Sequence, residues 1–308
     1  MLPPAIPRQT SAWERRTSDA MCRGDAQRCR RAPVRVATWN VNSILARVAR
    51  LNEWLDLTQP DVVCLQEIKC PADAFPGEGA VERGYEVAAY GDGRWNGVAI
   101  LSRVGLEQVS RGFAAQPGYA APTDEDELVL VDVPTPPVVE ARAIAATCGP
   151  VRLWSVYVPN GRSLDSPHFS YKLEWLAALR NALAGEVNAD GPFILTGDFN
   201  IAPTDADVWD PSAFIGSTHV TDAERTRLAE LRALGLEDVV PRALKYDTPY
   251  TYWDYRAGMF HKNQGMRIDL VYANRAAASR VTDAYVDREA RKGKAPSDHA
   301  PVVVDLDI

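Results

Sequence analysis

The sequence predicts an α/β fold, and two stretches carry that expectation. Between Val34 and Glu67 a β-favouring run, VRVATWNVNS, gives way to a segment with apolar residues at 48, 51, 54, 55 and 57, closed by Pro60. A second buried run, DVVCLQE, follows. The helical spacing of the middle segment separates it from the two strands around it. A right-handed crossover of this kind makes the strands parallel and brings Asn40 and Glu67 to like ends of neighbours. The second stretch is the helix expected over Tyr171–Leu183, striped by Leu173, Leu176, Leu179 and Leu183, ahead of FILTGDFN at Phe193–Asn200. Its apolar half reads as a buried strand that stops at Gly197, where the backbone can turn sharply. Asp198 and Asn200, two apart on extended chain, then present a carboxylate and an amide to one side of a rigid support.

The remaining elements follow in chain order. Residues 1–33 carry seven arginines against three acids, with prolines at 3, 4, 7 and 33 and no structural period, so they are expected to be a disordered extension. Composition does not break after residue 34, which predicts one domain over 34–308. Tyr85–Tyr90 and Gly97–Ser102 read as a hairpin around Gly91, Gly93 and Gly97. Phe113–Glu140, rich in Ala, Pro and acid, reads as a surface insertion with one short strand at Leu128–Val133. Ala141–Thr147 and Val151–Val158 resume strand character, and the second ends in YVPNGR, where Tyr157, Asn160 and Arg162 are three phosphate-capable donors. Asp205, Asp207 and Asp210 read as turn residues and helix caps. A helix is expected over Thr221–Leu234, with Thr221 and Glu224 as its capping box. The aromatic YTYWDYR and a loop, AGMFHKNQG, lead to the strand MRIDLVYA with Asp269 in its middle, and PVVVDLDI closes the chain.

The 308 residues, 46% hydrophobic and 24% charged, suffice for a large core. Five cysteines, at 22, 29, 64, 70 and 148, are odd in number and fit no metal spacing, which points to free thiols in a reducing compartment. With no apolar stretch of signal-peptide or membrane-spanning length, the expected location is the cytoplasm. A net charge of −7 argues against coating nucleic acid by bulk attraction and leaves room for a local basic groove.

Two acidic positions are hard to explain as structure. Glu67 at the mouth of a buried strand is costly unless it is solvated, paired or bound to a hard cation. An unpaired carboxylate within RIDLVY costs several kcal/mol, so Asp269 calls for a fixed cationic partner. PSDH supplies one: Asp298 and His299 sit on a turn before the closing strand, and the chain has only four histidines.

Taken in order, WNVNS, LQEIK, YVPNG, GDFN, RIDLVY and PSDH closely resemble the exonuclease III family of abasic-site endonucleases, its bacterial branch in particular, within the wider endonuclease/exonuclease/phosphatase superfamily. The resemblance covers everything after the N-terminal extension. It implies a four-layer α/β sandwich, two packed mixed β-sheets flanked by helices, with the site at the sheets' shared edge. It implies one or two Mg²⁺ ions, with Mn²⁺ as an alternative, held by Asn40 and Glu67 with Asp298 beside them, while Asp198, Asn200 and His299 line the second half of the site. Asn42 stands where some members have Asp. The same resemblance makes Asp269 the orienting partner of His299, Tyr157 and Asn160 phosphate contacts, and Tyr252, Met266 and Ile268 the wall of a pocket for a flipped-out, baseless sugar. The implied activity is incision of double-stranded DNA 5′ to abasic sites, accompanied by 3′–5′ exonuclease action and cleaning of blocked 3′ ends, by a monomer that is nucleoid-associated when acting. The loop after Asn200 is shorter than in some members and lacks their basic cluster, which counts against a processive exonuclease. Residues 114–140 are longer and acidic, and are expected to stay clear of the DNA backbone.

Overall fold

The computed structural model describes residues 33–93, 95–120, 136–246 and 248–308; the expected extension and the strand expected at Leu128–Val133 lie outside them. Two strands set the architecture. β1 (Val34–Asn40) and β2 (Val62–Gln66) are joined by helix α1 (Val48–Thr58) and pair in parallel, Val36 opposite Val62 through Asn40 opposite Gln66. Both are buried almost throughout, which is why they read as continuous apolar runs and not as alternating ones. α2 (Glu78–Glu82) leads to the expected hairpin of β3 (Glu86–Tyr90) and β4 (Val98–Ser102), antiparallel, with β4 lying against β2. The closing strands β11 (Val281–Val286) and β12 (Val302–Leu306) complete a sheet of order β11-β12-β1-β2-β4-β3.

The second sheet holds β5 (Glu107–Arg111), β6 (Ala143–Cys148), β7 (Val151–Tyr157), β8 (Phe193–Asp198), β9 (Leu236–Asp238) and β10 (Asp269–Asn274), in the order β5-β6-β7-β8-β10-β9. Here α3 (Pro167–Val187) connects the parallel pair β7 and β8. Successive side chains on a strand face opposite ways, and the cores follow that alternation. Val36, Val62, Cys64 and Ile100 of one sheet meet Ile144, Leu153, Ile194 and Val271 of the other. On the outer faces Ala37, Val63 and Leu65 pack under Leu51, Trp54 and Leu55 of α1, while Trp154, Leu195 and Tyr272 pack under Trp175, Leu176, Leu179 and Leu183 of α3. The result is helix, sheet, sheet, helix: the expected four-layer sandwich.

The helices differ from expectation in detail. α3 starts four residues before Tyr171, because Ser166 caps it by accepting the His168 N–H at 3.2 Å and Pro167 takes the first turn. Its buried face carries Lys172, whereas Leu173 is only partly covered. α4 (Asp222–Arg232) opens on the expected capping box, Glu224 N–H to Thr221 Oγ1 at 3.2 Å and Thr221 N–H to Glu224 Oε2 at 3.1 Å. Two further short α-helices among the described residues are α5 (Met259–Lys262) and α6 (Arg275–Ala278). Asp269 is the first residue of β10, not its middle, because Met266 pairs with Tyr252 and Val208 and the Ile268 N–H goes to Thr251 Oγ1 at 3.1 Å. Asp207 and Asp210 are caps, as expected: Asp207 accepts from Thr204 N–H at 2.9 Å and Asp210 from Ser212 N–H at 2.9 Å. Asp205 pairs with Arg225 at 2.8 Å. Cys64, Cys70 and Cys148 are buried free thiols. Among the described residues no helix is long and apolar enough to cross a membrane.

β8 does not stop at Gly197 but runs through it, with Gly197 opposite Val156 of β7. The φ of Gly197 is +144°, and a Cβ there would lie 1.9 Å from the Val156 carbonyl oxygen. Gly197→Ala should therefore destabilise the domain by about 3 kcal/mol or more, read from urea unfolding, because neither backbone can yield without breaking the ladder. An unchanged unfolding midpoint would contradict this packing.

Candidate active site

Strand ends converge at one edge of the two sheets. Asn40 closes β1, Glu67 follows β2, Tyr157 closes β7, Asp198 closes β8, and Asp269 opens β10. The ladders place Tyr157 opposite Asp198 on one side and Asp269 opposite Asp198 on the other. The turn before β12 adds Asp298 and His299.

The fully buried Asn40 amide joins the sheets. Its Nδ2 donates to Glu67 Oε1 at 2.8 Å and to Asp198 Oδ2 at 2.8 Å, while its Oδ1 accepts the Asn42 N–H at 2.9 Å. Glu67 has left-handed backbone, φ +52°, and its Oε2 lies 2.6 Å from Lys69 Nζ. Burial alone would raise the Glu67 pKa, but Lys69 and the Asn40 amide outweigh it and hold the carboxyl below its usual range, so it is ionised at neutral pH. Lys69 Nζ also donates to Asn42 Oδ1 at 2.6 Å, and Asn42 Nδ2 donates to Asp298 Oδ1 at 3.0 Å. Asn42 thus links a lysine to Asp298, with neither end of its amide turned to Glu67 or Asp198.

Asp198 is buried, which pushes its carboxyl pKa well above the ordinary range; His299 opposes that rise and the charges of Asp269 and Glu67 add to it. A carboxylate so tuned takes up a proton near neutral pH. Its Oδ1 accepts the N–H of Asn200, another left-handed residue at φ +52°, at 2.9 Å. The Asn200 side chain donates to Val158 O at 3.0 Å and accepts from Asn160 Nδ2 at 3.0 Å, so these two amides form one unit.

His299 Nδ1 is 2.7 Å from Asp269 Oδ2 and its Nε2 is 3.9 Å from Asp198 Oδ2. Burial lowers the imidazole pKa, but Asp269 raises it by more, so the ring stays charged through neutral pH with N–H on both nitrogens. Asp269 Oδ1 is buried with no hydrogen-bond partner among the described residues, so the ring is this carboxylate's counter-charge. The His299 N–H bonds Ser297 Oγ at 3.2 Å, Ser297 Oγ donates to Asn40 O at 2.7 Å, and the His299 carbonyl accepts from Trp39 Nε1 at 3.2 Å. Burial, with the Glu67 charge nearby, pushes the Tyr157 phenol well above the ordinary range, so it remains a neutral donor. Arg142 lies under the ring at 4.8 Å.

The other expected residues divide. Tyr252 stands against His299, ring centroids 4.9 Å apart, and shares a small apolar cluster with Ala202, Val208, Phe214, Val220, Met266 and Ile268. That cluster is closed: Met266 is 6% and Ile268 2% exposed. Arg162 is exposed and left-handed; its N–H donates to Asn160 Oδ1 at 3.1 Å, and among the described residues its guanidinium makes no hydrogen bond or ion pair. Lys69, Arg142, Ser297 and Lys172 escaped the sequence reading. Lys172 had a signal, a lysine one helical turn from the core residues Trp175 and Leu176.

Glu67, Asp198 and His299 offer ligand atoms within 4.8 Å of one another, and carboxylate oxygens are the donors hard divalent cations take. The residues therefore fit a metal ion. Asp298 lies outside that trio, tied to Asn42.

The model of the Endonuclease/Exonuclease/phosphatase family matches residues 37–299, a span that runs from β1 through His299 and contains every strand end described. The chain belongs to that family. It is 29% identical over 283 residues to exodeoxyribonuclease III of Haemophilus influenzae, covering 86% of this chain and 97% of that one. It is similar to a Neisseria 3′ phosphatase, NExo, solved with a product DNA hairpin, at 37% identity and a TM-score of 0.78, covering 89% and 100% of the two chains. A third relative, an AP endonuclease from Archaeoglobus fulgidus, is 32% identical at a TM-score of 0.78 with the same coverage. The two solved relatives share this fold, and the three are named for exodeoxyribonuclease, 3′ phosphatase and AP endonuclease action.

His299→Ala and Asp269→Ala should each lower single-turnover hydrolysis by about two orders of magnitude or more, and the double variant should be no more than about threefold worse than the worse single, because an oriented pair acts as a unit. Multiplication of the two losses would show that the residues act apart.

Proposed function

We propose that this protein is a Mg²⁺-dependent DNA repair phosphodiesterase that incises the backbone 5′ to abasic sites and clears blocked 3′ ends. The observation that carries the reading is the buried Asp269–His299 pair aimed at Asp198, with Glu67 held to the same carboxylate through Asn40. Glu67 and Asn40, with Asp298 alongside, would hold Mg²⁺ or Mn²⁺, which as a Lewis acid would offset charge on the phosphate and on the leaving 3′ oxygen, while Asp198, Asn200 and His299 line the other half of the site. Asp198 takes a proton from water as the water oxygen attacks phosphorus in line. The bond from phosphorus to the 3′ oxygen breaks, leaving a 5′ phosphate and a 3′ oxygen that takes a proton from solvent to become the 3′ hydroxyl. His299, fixed by Asp269, donates from Nε2 to a non-bridging oxygen as charge develops, and Tyr157 and Asn160 donate beside it. Arg162, exposed beside Asn160, is available to the flanking backbone.

The substrate is double-stranded DNA with abasic or blocked 3′ ends, taken by a monomeric domain over 34–308 in the cytoplasm. Residues 1–33 add a salt-sensitive attraction only. Tyr252, Met266 and Ile268 bound the space for a baseless sugar, which flips more readily than an intact nucleotide. A second reading gives 3′-end cleaning precedence over internal incision. The closed Met266 and Ile268 wall favours it, since a terminal phosphate needs no flipped sugar.

One comparison tests both: a duplex with a single stable abasic analogue and a nicked duplex with a 3′ phosphate, each with Mg²⁺ or chelator. Single incision 5′ to the lesion supports the first reading; phosphate release without incision assigns the protein to end cleaning; no product from either refutes both. Glu67→Gln should raise the Mg²⁺ requirement and lower turnover by about two orders of magnitude or more, because it removes a charged ligand at constant shape. Unchanged activity at limiting Mg²⁺ would sink the metal assignment. Met266→Ala should raise cleavage at undamaged nucleotides relative to abasic sites, and an unaltered ratio in both Met266→Ala and Tyr252→Ala would move lesion recognition elsewhere.

A further inference from the structure

Beneath the catalytic edge lies an ion pair that the proposed chemistry does not use. Lys172 of α3 and Glu224 of α4 are fully buried and 2.5 Å apart, Nζ to Oε1. An ammonium has three N–H bonds to place. Besides Glu224, Lys172 donates to the main-chain carbonyls of Asn200 at 2.7 Å and Asn160 at 3.1 Å, with Thr218 Oγ1 further off at 3.4 Å. Glu224 is equally occupied, accepting Thr218 Oγ1 at 2.7 Å and the His219 N–H at 2.9 Å on one oxygen and both donors of Thr221 on the other. The Thr218 hydroxyl also lies 3.1 Å from Asn160 O. Gly161, at φ +93°, is seated on the same group: a Cβ there would lie 2.7 Å from Thr218 Oγ1 and 3.2 Å from Lys172 Cδ.

Asn160 and Asn200 belong to different loops, after β7 and after β8, and their side-chain amides meet at 3.0 Å. One ammonium holds both backbones. Asn200 N–H holds Asp198 Oδ1 in turn, at 2.9 Å. A lysine beneath a core face is expensive to bury, and removing one partner of such a pair costs several kcal/mol without making the pair a source of stability in itself. A structural reason alone would be served by apolar side chains.

We propose that Lys172 is a positioning residue, paired with Glu224, that fixes the Asn160 and Asn200 loops to each other and so sets the amide pair beside the Asp198 carboxylate. The proposal rests on the phosphoester hydrolysis inferred for this site, and its readouts separate the two claims. Lys172→Met combined with Glu224→Gln buries no net charge and keeps the shape. It should fold, and at saturating DNA it should turn over about 10- to 100-fold more slowly with KM within about threefold, as expected when reacting groups are misplaced by a change outside the chemistry. The side-chain amide resonances of Asn160 and Asn200, assigned by their loss in Asn160→Ala and Asn200→Ala, should shift or broaden in the same protein without DNA.

Turnover within about twofold of wild type, or slow turnover with unmoved amide signals, overturns the proposal. If the wild-type protein hydrolyses no DNA substrate, the functional reading fails, and the amide signals alone decide whether the pair positions these loops. Should the double variant not fold, Thr218→Val removes the shared hydroxyl and leaves the ion pair; it should move the same signals and slow turnover by about three- to tenfold, the scale of one hydrogen bond. Unmoved signals in a folded Thr218→Val overturn the proposal equally.

Discussion

The site depends on one amide bridging two sheets. Glu67 belongs to the first sheet and Asp198 to the second, and two carboxylates converging on buried ground repel each other. Asn40 Nδ2 gives one N–H to each, at 2.8 Å in both cases. No charged donor could do this without adding its own desolvation cost, and no aliphatic residue could do it at all. The apolar interior of the sandwich brings the strand ends close, and the Asn40 amide makes that proximity tolerable.

Around that bridge the charges are arranged in matched sets. Lys69 answers Glu67, His299 answers Asp269 and faces Asp198, and Lys172 answers Glu224 one layer below. Each of these carboxylates would be costly to bury without its partner; the Asn42 amide also holds Lys69, and two backbone carbonyls hold Lys172. Left-handed backbone recurs among these residues, at Asn42, Glu67, Lys69 and Asn200. Strain gathered at one edge is what a surrounding frame of two well-packed sheets can sustain, and it aims side chains that regular strands would turn away.

The strand ends were legible because doubly buried strands are continuous apolar runs, so a polar residue that terminates one is conspicuous; Glu67 and Asp198 were found this way. Asp269 was legible through its cost, which demanded a cation and led to His299. The resemblance supplied the roles of Asn40, Tyr157 and Asn160. What escaped has equally physical causes. Lys69 and Lys172 act through contacts made only when separate elements pack, and a leucine stripe draws the eye from the lysine that shares its buried face. Arg162 follows a turn that points its guanidinium into solvent, so nearness in sequence did not become nearness in the site. Met266, given by the resemblance as a pocket wall, is closed over by its pairing with Tyr252 and Val208.

The edge of the sandwich is therefore a place where carboxylates are gathered and bridged by a neutral donor, within a group of ligand atoms that fits a metal ion. The most direct test replaces that donor by its isostere. Asn40→Asp keeps the shape, removes both N–H groups and adds a third carboxylate between the first two. Thermal unfolding in chelator should show a loss of several degrees relative to wild type, most of it recovered by Mg²⁺, because the cation binds and offsets the added repulsion only in the folded state. A melting temperature in chelator equal to that of wild type would show that Asn40 does not hold these carboxylates together.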